Sequence, residues 1–130
     1  MHACFAKAAE VDVIAVLFRD DSIALWDTLK LTELAVFRLP ASEARAHLRS
    51  FAVSSDGRFL AAAGRSRSLY VWELSTTDMF SIVELPQTIR ACERVEFVAD
   101  SATLAVIGDD GKLRFIDVRH TCSTAAERPL

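Results

Sequence analysis

The residues that usually announce chemistry are scarce in this chain. Its cysteines number three, Cys4, Cys92 and Cys122, an odd count at irregular spacing with no Cys-x-x-Cys pair. That argues against a disulfide framework and for reduced thiols in a cytosolic protein. Histidine is equally sparse, and His2, His47 and His120 stand far apart. Only His120 and Cys122 are close, and two donors without further ligands do not make a metal site. Cys92 has no base indicated beside it, so it reads as a buried structural thiol and not a nucleophile. No cofactor is expected. No apolar run reaches the ~18 residues a spanning helix requires, so membrane insertion is not expected. Lys7, Glu10 and Asp12 interrupt the apolar residues at the start, which makes a poor secretory signal. Large charge of one sign is also missing. The formal net charge is −3, divided as −2, +1 and −2 over residues 1–46, 47–90 and 91–130. Nothing there calls for nucleic acid or an anionic membrane as partner.

What is present is an ordinary globular composition, 52% hydrophobic and 25% charged, arranged in a repeat. Ser22-Ile-Ala-Leu-Trp-Asp27 lies over Ser68-Leu-Tyr-Val-Trp-Glu73 and over Lys112-Leu-Arg-Phe-Ile-Asp117. The anchors Trp26, Trp72 and Ile116 are 46 and 44 positions apart, each followed by an acid, Asp27, Glu73 or Asp117. Upstream of each anchor runs a segment apolar on both faces: Val13–Phe18, Phe59–Gly64 and Thr103–Gly108. Such strands must be covered on both sides. The turns between are short and polar: Arg19-Asp20-Asp21, Arg65-Ser66-Arg67 and Asp109-Asp110-Gly111. Each unit therefore holds a hairpin, and the turn carboxylates read as solvated tips, with calcium a weaker reading for want of the right spacing.

Two further elements recur. Glu33–Pro40 lies over Met79–Pro86, and each proline should end an edge strand because it cannot donate to a ladder. Leu48–Ser54 and Cys92–Val98 follow, each ahead of an aspartate, Asp56 or Asp100, with a strong turn signal at Ser55-Asp56-Gly57-Arg58. Four short strands per unit predict an all-β fold of propeller blades, about two and three-quarters four-stranded antiparallel blades. The blades fall at about 1–40, 47–86 and 91–118, within a repeat region 1–122, and 123–130 is an unpatterned tail. Trp26, Trp72, Phe18, Phe59, Phe97 and Phe115 are the expected core between blades.

At the acid-terminated strands the chain resembles the WD40 family, with Trp26-Asp27 as the namesake dipeptide and Trp72-Glu73 and Ile116-Asp117 as variants. It departs from the strong motif in lacking Gly-His; His47 sits near that place with no glycine before it. The family's buried Asp–His–Ser/Thr–Trp network is therefore not expected. Asp21-Ser-Ile, Phe51-Ala-Val, Asp56-Gly-Arg-Phe-Leu-Ala-Ala, Glu96-Phe, Asp110-Gly, Arg114-Phe-Ile and Thr121-Cys122 are similar, in the same order, to the TBC-domain WD-repeat proteins of centriolar satellites. That resemblance implies a protein with a TBC domain and a coiled coil beyond its WD repeats. The Ile-x-x-Asp-x-x-Arg and Tyr-x-Gln motifs of active TBC domains do not occur in this sequence.

The expected function is a non-catalytic interaction scaffold: the WD40 part of a cytoplasmic protein at the centrosome, centriolar satellites or ciliary base. Alternatives are the regulatory region of a GTPase-activating protein and an unrelated WD40 adaptor such as a ubiquitin-ligase substrate receptor. The partners are proteins or peptides. Arg58, Arg65 and Arg67 form the one basic cluster and the candidate peptide-binding residues. A propeller closes with four to eight blades, so further blades must come from the same longer polypeptide or from a second copy.

Overall fold

The computed structural model describes residues 2–8, 11–40, 47–54, 57–74, 79–85, 89–98, 102–118 and 126–129. None of these is helical, and three four-stranded antiparallel sheets follow one another in chain order. The first contains β1 (His2–Ala8), β2 (Val11–Leu17), β3 (Ile23–Asp27) and β4 (Thr32–Phe37). The second contains β5 (Leu48–Val53), β6 (Phe59–Gly64), β7 (Ser68–Glu73) and β8 (Met79–Glu84). The third contains β9 (Cys92–Phe97), β10 (Thr103–Gly108), β11 (Lys112–Asp117) and β12 (Ala126–Pro129). The sheets stack so that β5 lies beside β1 on one side and β9 on the other, which puts the first strand of each blade innermost.

The sequence repeat is a backbone repeat. Thr28 N–H donates to the Asp12 carbonyl, Leu74 to Arg58 and Val118 to Ala102, at 3.2, 2.9 and 3.0 Å. Each bond closes the β2–β3 type of hairpin at the same point. Bulges recur as well. One interrupts the third–fourth strand ladder at Leu25/Trp26 and again at Val71/Trp72. Another interrupts the first–second strand ladder at Leu48/Ser50 and at Ile107/Gly108.

One expectation changes. The tail 123–130 carries β12, which pairs with β11 from Lys112↔Pro129 to Phe115↔Ala126 and gives the third blade its outer strand. An edge strand forms one ladder only and tolerates proline, so its sequence need show neither apolar alternation nor a full set of donors. The elements ending at Pro40 and Pro86 do lie at sheet edges, as β4 and β8. Pro86 itself, with Asp56, Asp100 and Cys122, lies outside the described residues.

The core consists of two layers between blades. Val13, Ala15, Leu17, Ile23, Leu25 and Phe37 of the first blade meet Leu60, Ala62, Tyr70 and Trp72 of the second. Across that layer Phe37 and Trp72 pack with ring centroids 6.1 Å apart and planes inclined by 60°, an edge-to-face arrangement that suits two aromatic quadrupoles. Phe59, Ala61, Ala63, Leu69 and Val71 use the opposite face of the second blade against Val95, Leu104, Val106 and Ile116 of the third. All six residues of β6 are buried, which explains why its sequence Phe-Leu-Ala-Ala-Ala-Gly shows no polar face.

The outer blades each have one covered face. Trp26 aligns with Trp72, yet it is 37% exposed where Trp72 is 1% exposed. Phe18, also expected in the core, is exposed, while Phe97 and Phe115 are half-buried. Phe97 packs at the border of the second layer and Phe18 lines the rim just past the end of β2, while Trp26 and Phe115 lie on faces without a neighbouring sheet among the described residues. Trp72 is covered by the preceding blade, and no described sheet covers the Trp26 face. On the third blade, Ala105, Ile107, Leu113 and Phe115 are half-buried where their counterparts Ala61, Ala63, Leu69 and Val71 are buried. The stack is a partial propeller whose geometry fits further blades.

Candidate functional site

The turns that join the second and third strands of each blade share one rim. At their middle position Asp20, Ser66 and Asp110 accept the backbone N–H two residues on, from Ser22, Ser68 and Lys112, at 3.0, 3.2 and 3.2 Å. Short polar side chains suit that position because they close the turn by themselves. The Ser22 hydroxyl, followed by its N–H, holds the Asp20 carboxyl below the usual range. The last position differs between blades. Asp21 and Gly111 take left-handed backbone, φ 66° and 76°, which glycine adopts freely and aspartate more readily than most residues.

Asp21 is therefore not a solvated tip. Its carboxylate is buried and crosses to the start of the second blade, where it accepts the N–H of His47 at 3.0 Å and of Leu48 at 2.8 Å. His47 thus meets Asp21 through its backbone. A buried carboxylate on two N–H groups satisfies donors that would otherwise lack partners at a strand start. The approach is close on the other side as well. Arg65 N–H donates to the His47 carbonyl at 3.3 Å, and a Cβ on Gly64 would overlap that carbonyl and lie 2.7 Å from Leu48 Cα. Glycine is required at Gly64 for that contact.

The joint between the second and third blades is built otherwise. The position aligned with Asp21 holds Arg67, which has no acceptor to offer through its side chain. Here Ser50 Oγ accepts from Val95 N–H at 3.0 Å, and Arg49 meets Glu93 at 3.2 Å. Within the third blade Asp109 accepts Arg90 N–H at 2.9 Å, and Asp110 makes a two-pronged pair with Arg114 at 3.1 and 2.7 Å. The Arg114 side chain is only 1% exposed, and a guanidinium so placed requires its carboxylate. Sequence reasoning passed over Arg114 because its column holds Ala24 and Tyr70. The available signal was the acid four residues earlier, at a spacing the hairpin brings into contact. Cys92 is buried beside this pair. Desolvation, followed by the Asp109 charge, pushes its thiol up to about 12, so it stays protonated at neutral pH.

Two adjoining depressions open on this rim. The first, about 440 Å³, lies between the first and second blades and is lined by Phe18, Arg19, Asp21, His47, Arg49 and Arg65 among others. The second, about 500 Å³, lies between the second and third and is lined by Arg65, Arg67, Glu84, Ile89 and Arg90 among others. Arg65 stands between them. The structure thus brings two of the three candidate arginines together and separates the third. Arg58 precedes β6 while Arg65 follows it, which puts them roughly 20 Å apart at opposite rims. Arg58 instead lies over the Phe59 ring, 5.0 Å from its centroid. Arg19 and Arg90 join the cluster in its place. Arg19 was legible as the residue aligned with Arg65; Arg90 becomes a neighbour only through the stacking of blades.

The repeat anchors hold structural positions. Asp27 accepts the N–H of Leu29 at 2.8 Å and of Lys30 at 3.1 Å, and the Lys30 bond leads in keeping its carboxyl below the usual range. Ile116 is buried, and Glu73 and Asp117 are half-buried. Among the described residues no group of three or more His, Cys, Asp and Glu is placed to hold a metal ion. No helix of the structure is long and apolar enough to cross a membrane.

No protein-family model matches the chain. It is 35% identical over 117 residues to TBC1 domain family member 31 of Xenopus laevis, covering 85% of this chain and 11% of the relative. It is 36% identical over 117 residues to the Oryzias latipes protein of the same name, with the same coverage. Against that of Homo sapiens it is 35% identical over 124 residues, covering 89% of this chain and 11% of the relative. The chain thus spans about a tenth of the length of the relatives it matches. Among solved structures it is similar to the Cps50 (Swd1) β-propeller domain of Myceliophteria thermophila, with TM-score 0.76 and 16% identity over 97% of this chain and 38% of that one. It is also similar to U3-55K, with TM-score 0.75 and 17% identity over 98% and 42%, and to the RRP9 WD40 repeats, with TM-score 0.70 and 19% identity over 90% and 38%. The backbone repeat, the stacked four-stranded sheets and these likenesses together make the chain a β-propeller segment of the WD40 type, similar to the TBC1 domain family member 31 proteins.

Proposed function

We propose that the chain is a non-catalytic interaction scaffold, the WD40 part of a larger cytoplasmic protein of the centrosome, centriolar satellites or ciliary base. The observation that carries this reading is a rigid stack of blades similar over 85–89% of its length to the TBC1 domain family member 31 proteins. Two features support it. Loops held by a fixed sheet stack can present side chains to a protein without any reactive group, and Cys92 is kept protonated. The uncovered faces around Trp26 and Phe115 are apolar surface of the kind that blades bury against each other. The further blades come from the same longer polypeptide, with a second copy as the competing source. Light scattering of residues 1–130 alone should show self-association; a monomer with a cooperative melt would contradict it.

Proximity labelling around the intact protein tests the location. Centrosomal or ciliary-base neighbours are expected, and their absence would overturn that part of the reading. The relatives' name, which includes a TBC1 domain, favours one second reading: these blades regulate a GTPase-activating region elsewhere in the protein. GTP hydrolysis by small GTPases, compared with and without the blades, separates the two. Neighbours dominated by ubiquitin-ligase subunits would instead mark an unrelated adaptor.

A further inference from the structure

We propose that the rim depression between the second and third blades binds an acidic peptide, a short segment with several carboxylates in succession, gripped by Arg65, Arg67 and Arg90. This rests on the scaffold reading above and names the chemistry of one partner.

Charge is the first argument. The chain as a whole carries −3, yet the two adjoining depressions are lined by five arginines, Arg19, Arg49, Arg65, Arg67 and Arg90, against two carboxylates, Asp21 and Glu84. A positive rim on a negative chain is a local field, and it is aimed outward because Arg19, Arg65 and Arg90 are exposed. The second argument is what the neighbouring acids already do. Asp21 is engaged by His47 and Leu48, Asp109 by Arg90 N–H, Asp110 by Arg114, and Glu93 by Arg49. None of the ion pairs found within 4.0 Å among the described residues involves Arg65, Arg67 or Arg90. Guanidinium forks pair with carboxylates two-pronged, so three in one depression match two or three successive acids.

Shape supplies the third argument. The depression is about 500 Å³ with Ile89 at its wall, room for a few side chains on an apolar spot. Glu84, paired across the ladder with Ser68 next to Arg67, is its one lining acid and disfavours an unbroken run of phosphates more than a short peptide whose acids meet Arg65 and Arg90. The positive region spans two depressions and is bordered by acids, too short for the continuous contacts that a nucleic-acid backbone requires.

The test uses the intact protein and a fluorescein-labelled peptide of alternating Glu and Asp, followed by anisotropy. Controls are the same peptide in Gln and Asn and a labelled single-stranded oligouridine. The acidic peptide should bind, more weakly as salt rises, and the neutral peptide should not. Arg65→Ala, Arg67→Ala and Arg90→Ala should each weaken it by about threefold or more, and Arg58→Ala on the other rim should leave it unchanged. Absence of binding, equal loss with Arg58→Ala, or tighter binding of oligouridine would overturn the proposal. Proximity labelling with the Arg65, Arg67 and Arg90 variants combined keeps the two readings apart. If peptide binding fails while protein neighbours persist, this inference falls alone; if no protein neighbours are found for the unaltered protein, the scaffold reading falls.

Discussion

The two joints between blades use similar strands and opposite chemistry at the rim. Between the first and second blades, Asp21 reaches across and closes on two backbone N–H groups of the next blade. Between the second and third, the aligned residue is Arg67, and the polar link moves inward to Ser50 and Val95. Both joints bury a full apolar layer, so packing does not require either latch. What differs is what the rim has left over. The latched joint has Asp21 among its arginines, spent on the backbone of the next blade, whereas the turn at the unlatched joint offers Arg65 and Arg67 and no carboxylate. The middle turn therefore contributes most to the positive rim, Arg19 of the first turn adds to it, and the aspartates of the flanking turns are structural.

That contrast breaks in graded ways. Asp110→Ala should cost most, about 3 kcal/mol, because it removes the carboxylate pair of the buried Arg114; denaturant midpoints of the intact protein read it. Asp21→Ala should cost about 2 kcal/mol by stripping two N–H groups of their acceptor, read as a lower unfolding midpoint and faster proteolysis near His47. Ser50→Ala removes the two bonds of Ser50 Oγ to the Val95 backbone, one accepted at 3.0 Å and a longer one donated at 3.5 Å, and should cost about 1 kcal/mol in the same assay. Arg65→Ala combined with Arg67→Ala should leave stability within about 0.5 kcal/mol, while Arg67→Asp should leave it equal or raise it by supplying the missing latch. A large loss on removing both arginines would erase the distinction between the joints.

The blades were legible because their strands are covered on both faces, so Phe59–Gly64 and Thr103–Gly108 stand out as unbroken apolar runs around 44 residues apart. Trp26 shows the limit of that reading. Its column matches Trp72, but a column does not say whether a neighbouring sheet lies on top of it. β12 was hidden for a related reason: an edge strand forms one ladder only, and its sequence need not alternate. The rim was only half legible. Asp20 and Asp21 look alike in sequence, yet one closes its own turn and the other closes a joint 26 residues away. Arg58 looked close to Arg65 because the chain distance is short, and a six-residue strand is what separates them.

Amide exchange at His47 and Leu48 in the intact protein tests the difference between the joints most directly. With Asp21→Ala, exchange at these two positions should speed up by about tenfold or more, while Arg65→Ala with Arg67→Ala should leave it unchanged. Equal exchange in the unaltered protein and the Asp21 variant would show that the carboxylate does not hold the joint, and the contrast between the two rims would fail.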